Sequence, residues 1–266
     1  MSLQINQNVA AINAHRNLIT NDTMLGRSLE RLSSGFRINR AGDDAAGLVK
    51  SETLRSEVRG SEQAVQNAQD GISFVQTAEG SLVEVHAMLQ RLNQLAVSAA
   101  NTATSDGSAE QAEVTELLAQ IDAIGTNTRF AGLDVFDGNA KTFHVGANAG
   151  ETIDVTVDAL SAADLGVDGI DLTADADGAI TTISTAVDTV STLRGSLGAK
   201  QNRLESTINN LRVTMENLSA SESRIRDTDM ALEMSNFTRN QIMVQAGTAM
   251  LAQANAVPQS ILGLLR

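Results

Sequence analysis

Apolar residues recur along most of this chain at alternating intervals of four and three positions. In the second half the spacing runs unbroken from Ile183 to Ile225, and in the first half it runs from Leu54 to Ala99 with one compressed step near residue 75. A repeat of this kind is typical of helices that bury a continuous stripe against a partner helix. The pattern predicts a mainly α fold built on long, antiparallel coiled-coil helices.

A third, shorter helix is predicted between these two. It should begin near Ser108, because Ser108 and Gln111 match a capping box. Val114 and Ile121 belong to its apolar stripe. The first half of the chain therefore carries a long helix followed by a short one.

The period changes again in the middle of the chain. Apolar and polar residues alternate at Phe143 and Val145, and Asp137-Gly138 is a hairpin-turn signal. Residues 129–175 are therefore expected to form small β-hairpins placed between the long helices.

The composition favours long helices over a compact enzyme. Only 2% of the residues are aromatic, and Pro258 is the single proline. Aromatic side chains usually fill compact interiors, and a chain with little proline can form long helices. The sequence contains no cysteine, which excludes disulfides and thiolate metal sites. We also expect no membrane insertion and no cleaved signal peptide, because neither pattern is present.

The net charge of −13 is concentrated in one region. Residues 101–178 hold fifteen carboxylates and two basic residues, which accounts for the whole excess. Residues 1–21 and 234–266 contain no carboxylate. An acidic middle repels phosphates, so nucleic acid is not expected as a partner. We expect the middle to face water and the two ends to be buried.

Candidate catalytic chemistry is scarce. The three histidines, His15, His86 and His144, stand apart from one another, and no phosphate-binding glycine motif is present. The acidic stretch that ends at Gly178 lacks the glutamate that a calcium loop requires. The sequence therefore predicts a protein that is not an enzyme and has no cofactor or metal.

Two classes of protein remain from these observations alone. One is a structural protein that assembles through its apolar ends, and the other is a signalling helical hairpin like that of a chemoreceptor. The hairpin class predicts uninterrupted heptads across the tip and polar open ends joined to a membrane anchor. This chain has a β segment at the tip, its ends are its least charged part, and no anchor is expected, so the assembling class is favoured.

Four motifs resemble those of bacterial flagellins. They are LSSGFRINRAGDDAAGLVKS from Leu32, QRLNQLAV from Gln90, SRIRDTDMALEMSNFTRNQI from Ser223, and QAGTAMLAQANAVPQSILGLLR from Gln245. The resemblance covers roughly residues 1–135 and 180–266. A hook–filament junction protein shares the terminal helices, but the last motif favours a flagellin. The short middle implies a form without large outer domains.

The resemblance implies a subunit that polymerises into the flagellar filament for swimming motility. Residues 1–42 and 230–266 would form the inner core with its connector. Residues 43–179 would form two helices and the hairpins of an outer tube, and residues 180–229 its C-terminal helix. The subunit would be exported by the flagellar type III apparatus to the extracellular flagellum.

The same resemblance implies three groups of functional residues. Subunit packing is assigned to apolar residues of the two ends: Ile5, Val9, Ile12, Ile19, Met234, Phe237, Val244, Leu251, Ile261, Leu262 and Leu265. The connector between inner and outer layers is assigned to Gly35, Arg37, Asn39, Arg40, Asp43 and Asp44. Arg91, Leu95 and Glu113 would contact the Toll-like receptor that recognises flagellin.

The implied partners are other copies of the chain, the filament cap and hook-junction proteins, and an export chaperone at the C-terminal helix. Both ends are amphipathic and lack carboxylates, and isolated helices of this length are marginal in water. We therefore expect the ends to be poorly ordered in the free subunit and helical in the filament. Gly35, Gly42 and Gly47 are expected to relieve crowding where the chain crosses between layers.

Overall fold

The computed structural model describes the backbone of residues 7–101 and 107–264, and the side chains of residues 7–101 and 107–256. Five helices occupy most of the described chain: α1 Val9–Ser34, α2 Ala45–Ala99, α3 Ser108–Asn127, α4 Ala176–Arg226 and α5 Met230–Leu264. Four short strands lie between α3 and α4: β1 Arg129–Phe130, β2 Leu133–Asp134, β3 Ala140–His144 and β4 Thr152–Thr156. The predicted fold class, long helices with a small antiparallel β region in the middle, is confirmed.

Two compact units divide the chain. One contains the two chain ends, up to Ser56 and from Asn217 onward, and the other contains Glu57 to Glu216. We call them the end unit and the middle unit. The division falls inside α2 and α4, so each of these helices contributes to both units. No helix in the described residues is long and apolar enough to cross a membrane.

The core of the middle unit follows the stripes predicted from the sequence. Leu82, Leu89 and Leu92 of α2 are fully buried, as are Leu197 and Leu204 of α4. The buried cluster continues through α3 and the hairpins, at Val114, Ile121, Ile153 and Val155. The two long helices run antiparallel, with an ion pair of 3.5 Å between Glu79 and Arg194 on their shared flank. The middle unit therefore has a hydrophobic core of its own.

The strands form two separate two-stranded antiparallel sheets, β1 with β2 and β3 with β4. The β1–β2 turn is made by Ala131 and Gly132, which both have positive φ as a type I′ turn requires. The prediction of a hairpin turn at Asp137-Gly138 is wrong, because this dipeptide lies between the two sheets. The Asp137 carboxylate accepts a hydrogen bond from the Asn139 amide and pairs with Lys141. This local turn redirects the chain without pairing the strands on either side of it.

The predicted capping box at the start of α3 is also wrong. Helix α3 begins at Ser108 as expected, but its N-cap is Gly107 with φ of 74°. The Gln111 side chain donates to the Ile170 carbonyl at 3.0 Å and accepts from the Leu172 amide at 2.7 Å. Gln111 therefore fixes a distant loop against α3 instead of closing the helix N-terminus.

The end unit contains the antiparallel pair of α1 and α5. Asn8 caps α1 and donates from its amide group to the Ala254 carbonyl at 2.8 Å, while Arg31 pairs with Glu233 at the opposite end. The facing positions recur at intervals of three and four and carry mostly small or polar residues. They are Ala11, Ala14, Leu18, Asn21, Leu25, Ser28 and Leu32 on α1, and Glu233, Phe237, Asn240, Val244, Gly247 and Leu251 on α5. Among the described side chains of the two helices, only Ser28 and Glu233 are buried.

Candidate assembly surface and connector

The connector is a joint between two chain segments. Helix α1 is capped at its C-terminus by Gly35, whose φ of 76° is left-handed and suits glycine, and whose amide donates to the Arg31 carbonyl. The following residue, Phe36, forms a β-bridge with Asp227, between α4 and α5. The Arg37 amide donates to the Arg226 carbonyl at 2.6 Å, and the Thr228 amide donates to the Gly35 carbonyl at 3.0 Å. The link between α1 and α2 is thus hydrogen-bonded to the link between α4 and α5.

The predicted connector residues lie together at this joint. The Arg37 guanidinium donates to the carbonyls of Arg224 and Ile225, which are acceptors left open at the end of α4. The amide group of Asn39 donates to the Phe36 carbonyl.

Arg40, Asp43 and Asp44 shape the loop that leads into α2. The Asp43 carboxylate accepts from the amides of Arg40 and Asn39, and these backbone hydrogen bonds lower the pKa of Asp43. Arg40 pairs with Glu30 at 2.9 Å. Asp44 accepts from the Gly47 amide at 2.9 Å, in the position of an N-terminal cap for α2.

The two remaining glycines of the connector differ. A Cβ on Gly47 would lie 2.5 Å from Oδ2 of Asp44 and 2.8 Å from Cδ1 of the buried Ile38, so a larger residue there would displace these two side chains. Gly42 has open space around it and a backbone outside the left-handed region. The expectation that Gly42 relieves crowding is therefore wrong.

Three contributors to the joint were not predicted from the sequence. The Arg226 guanidinium lies 4.8 Å from the centre of the Phe36 ring and 2.5 Å from a Glu52 oxygen. The Arg226 side chain is only 13% exposed. The sequence offered one signal for Arg226, which is an arginine in the last turn of α4. A basic residue is common at this place because it interacts favourably with the helix dipole, so the signal did not indicate a contact with Phe36 or Glu52.

The apolar residues assigned to subunit packing fall into two sets. Phe237, Val244 and Leu251 are half-buried against α1. Val9, Ile12, Ile19 and Met234 are more than half exposed and do not face the partner helix. Ile5 and Leu265 lie outside the described residues, and Ile261 and Leu262 lie in the last described turns of α5, beyond the described side chains.

The exposed set belongs to a larger apolar surface. We define the end surface as the exposed large apolar residues of α1 and α5: Val9, Ile12, Ile19, Met24, Leu29, Met230, Leu232, Met234, Ile242, Met243 and Met250. On α5 these residues point in several directions around the helix axis, and a helix that is apolar on all sides is normally buried. An apolar surface of this extent marks an interaction site.

The residues assigned to the immune receptor lie in the middle unit. Arg91 of α2 makes a two-pronged ion pair with Glu113 of α3, with contacts of 2.7 and 3.1 Å. The side-chain hydrogen bond raises the pKa of Arg91 and lowers the pKa of Glu113. Leu95 is only 6% exposed and belongs to the core. The exposed surface at this place is therefore formed by the ion pair and not by Leu95.

These features define a class of protein. A helical chain with its own middle core, a hydrogen-bonded joint and an uncovered apolar end surface is built to assemble with other chains. In the described part of the chain, no group of three potential ligands could hold a metal ion. The class is that of a self-assembling structural protein.

The comparisons with known proteins identify the family. The profile of the bacterial flagellin N-terminal helical region matches residues 5–141, and that of the C-terminal helical region matches residues 180–265. The chain is 46% identical over 304 residues to a flagellin of Bacillus subtilis (strain 168), covering 99% of this chain and 100% of that one. It is 49% identical over 270 residues to a flagellin of Halalkalibacterium halodurans, covering 98% and 99% of the two chains.

A third relative is the flagellar filament 33 kDa core protein of Treponema phagedenis, at 45% identity over 284 residues and 98% and 99% coverage. The crystal structure of Bacillus cereus flagellin aligns at 25% identity with a TM-score of 0.49, over 55% of this chain and 88% of that one. The chain belongs to the bacterial flagellin family. It is a structural subunit of the extracellular flagellar filament that drives swimming motility.

Proposed function

We propose that the chain ends make the contacts that hold the filament together, and that the end surface is where neighbouring subunits pack. One observation carries the proposal: α1 and α5 expose many large apolar side chains, while only Ser28 and Glu233 among their described side chains are buried. A helix pair that buries so little inside one chain gains most of its stability from contacts with other chains.

Charge supports the same assignment. Neither residues 1–21 nor residues 234–266 contain a carboxylate, so burying them between subunits leaves no unpaired acid in an apolar contact. In this proposal, residues 1–42 and 230–266 form the inner core of the filament. Residues 43–179 and 180–229 form its outer tube.

The predicted packing residues then have two roles. Phe237, Val244 and Leu251 join α5 to α1 within one subunit, while Val9, Ile12, Ile19 and Met234 contact neighbouring subunits. We extend the second role to Ile5, Ile261, Leu262 and Leu265 on sequence grounds, because they continue the apolar patterns of the same ends.

A charged residue on the exposed side of α1 tests the proposal. The variant Ile12→Asp with Ile19→Asp should remain helical as a free subunit and lose the ability to form filaments, because two charges would be buried at the contact. The matched control is Ala149→Asp, which adds a charge at an exposed turn of the middle unit. Filaments formed by the double variant at the same protein concentration as the unaltered chain would refute the proposal.

The route to the filament is also proposed. We infer export through the flagellar type III apparatus, because the chain belongs to the bacterial flagellin family. An export chaperone would cover the C-terminal helix before assembly, at Ile261, Leu262 and Leu265. The filament cap and hook-junction proteins would bind the same chain ends. The absence of candidate catalytic clusters in the sequence supports a subunit with no enzymatic role.

Recognition by the Toll-like receptor for flagellin is proposed for the surface around Arg91 and Glu113. Leu95 would act by supporting this surface, since it is buried. The single variant Arg91→Asp should lower the cellular response. The double variant Arg91→Glu with Glu113→Arg restores a pair of opposite charges. This variant should have the thermal stability of the unaltered protein and should still give a low cellular response. Full responses to both variants would remove the assignment.

A further inference from the structure

Most methionines of this chain lie on the outside of the end helices. Met24 of α1 and Met230, Met234, Met243 and Met250 of α5 are 47–64% exposed. All five belong to the end surface. The two other methionines with described side chains, Met88 and Met215, are half-buried on α2 and α4.

An exposed methionine thioether has two properties that a leucine side chain lacks. Its unbranched, polarizable chain adapts to an irregular partner surface. Its sulfur is also open to two-electron oxidation by hydrogen peroxide. The sulfur attacks one peroxide oxygen, so that an S–O bond forms as the O–O bond breaks. The proton on the attacked oxygen passes to the other oxygen, which leaves as water. The product is a sulfoxide, which is a polar hydrogen-bond acceptor in place of an apolar group.

We propose that these five methionines are an oxidation site of the free subunit, and that their conversion to sulfoxides by a peroxide prevents the subunit from entering the filament. The proposal rests on the proposed function, in which the end surface becomes buried between subunits. A sulfoxide buried there without a donor opposes assembly. A subunit already in the filament would be protected, because its thioethers are covered.

The direct test compares subunits and filaments treated with hydrogen peroxide. Peptide mass spectrometry should find sulfoxide at the five positions in free subunits and much less in filaments. The protein concentration needed for polymerisation should rise by about tenfold or more in the oxidised subunits, because each buried polar group without a partner weakens the contact. Reduction by methionine sulfoxide reductases should restore polymerisation.

A leucine set supplies the matched control. A variant with Met→Leu at positions 24, 230, 234, 243 and 250 should polymerise after peroxide treatment, whereas Met88→Leu with Met215→Leu should remain sensitive. The five-leucine variant could fail to polymerise even without peroxide. In that case the test is whether the reductases restore polymerisation to oxidised subunits of the original sequence. If they do not restore it, the proposal is overturned.

Two outcomes separate this inference from the function on which it depends. Equal sulfoxide formation in filaments and in free subunits would overturn the proposed burial of the chain ends. A second result would overturn only the proposed effect of oxidation. In this result the fully oxidised subunits polymerise normally, while the methionines of peroxide-treated filaments are still protected.

Discussion

Gly125 of α3 lies directly against the backbone of the loop after β4. A Cβ at this position would collide with the Leu160 carbonyl oxygen and lie 2.9 Å from its carbonyl carbon. Because both groups are backbone, neither can turn aside as a flexible side chain could. This helix and the loop after β4 can pack closely only because residue 125 has no side chain.

Replacing this glycine should therefore reverse the usual effect of alanine in a helix. Gly125→Ala is expected to lower the free energy of unfolding of the middle unit by about 1–3 kcal/mol, the typical cost of overpacking. The matched control is Gly195→Ala in α4, where a Cβ would meet nothing within 4 Å. That change should raise stability by up to about 1 kcal/mol, because alanine favours helix. Thermal unfolding of both variants measures the difference, and a stabilised Gly125→Ala would contradict the packing described.

Individual roles were predictable from the sequence where local geometry decides them. Gly35 ends α1 in a left-handed conformation, and Asp44 accepts an amide at the start of α2, both of which depend on nearby residues. The burial of Leu95 and the pairing of Gln111 with residues 170–172 depend on the packing of distant segments. A sequence pattern carries no direct record of such contacts.

The connector shows how two links between helices are held as one joint. Arg226 combines an ion pair to Glu52 with a position over the Phe36 ring. Arginine suits this place because its planar group can stack on an aromatic ring and bond a carboxylate at the same time. A lysine would keep the charge and lose the flat surface that stacks on the ring.

Arg226→Lys should therefore destabilise the joint by about 1 kcal/mol, a value discounted because Glu52 is half exposed to solvent. Arg226→Ala should cost about 2 kcal/mol, because it also removes the packed side-chain stem. Hydrogen exchange at the amides of Arg37 and Thr228, which bond across the joint, should speed up in the same order. Unchanged exchange in the alanine variant would show that Arg226 does not hold the joint.

The helices were more predictable from sequence than the strands. The long stripes of α2 and α4 repeat over many turns, so one misread position changes little. The strands are two to five residues long, and their pairing depends on which turn closes them. Asp137-Gly138 has the composition of a hairpin turn, yet Ala131-Gly132 forms one. The exposed and inward sides of α5 could not be separated from sequence, because apolar residues surround this helix.

The excess negative charge of the molecule is concentrated in one region, residues 101–178. The fifteen carboxylates between residues 101 and 178 belong to the middle unit, and their burial without partners would be costly. We therefore expect this region to face solvent on the outside of the filament. Neighbouring subunits then present like charges to each other.

Assembly should accordingly be slower at low ionic strength. The screening length is about 30 Å at 0.01 M salt and about 10 Å at 0.1 M, so repulsion between subunits reaches further in dilute salt. Light scattering during polymerisation across this range measures the effect. A control with Asp164, Asp168 and Asp171 changed to Asn should depend less on salt. Polymerisation that is fastest in dilute salt would contradict an acidic exterior.

The central claim is that the chain ends, and not the middle unit, build the filament. The middle unit has its own core, so removing either end should leave a soluble and helical protein. The most direct measurement is electron microscopy of two truncated chains, one lacking residues 1–33 and the other lacking residues 230–266, under conditions in which the full chain polymerises. We predict that neither truncated chain forms filaments. Filaments of normal diameter from either one would contradict the assignment of the end helices to the core.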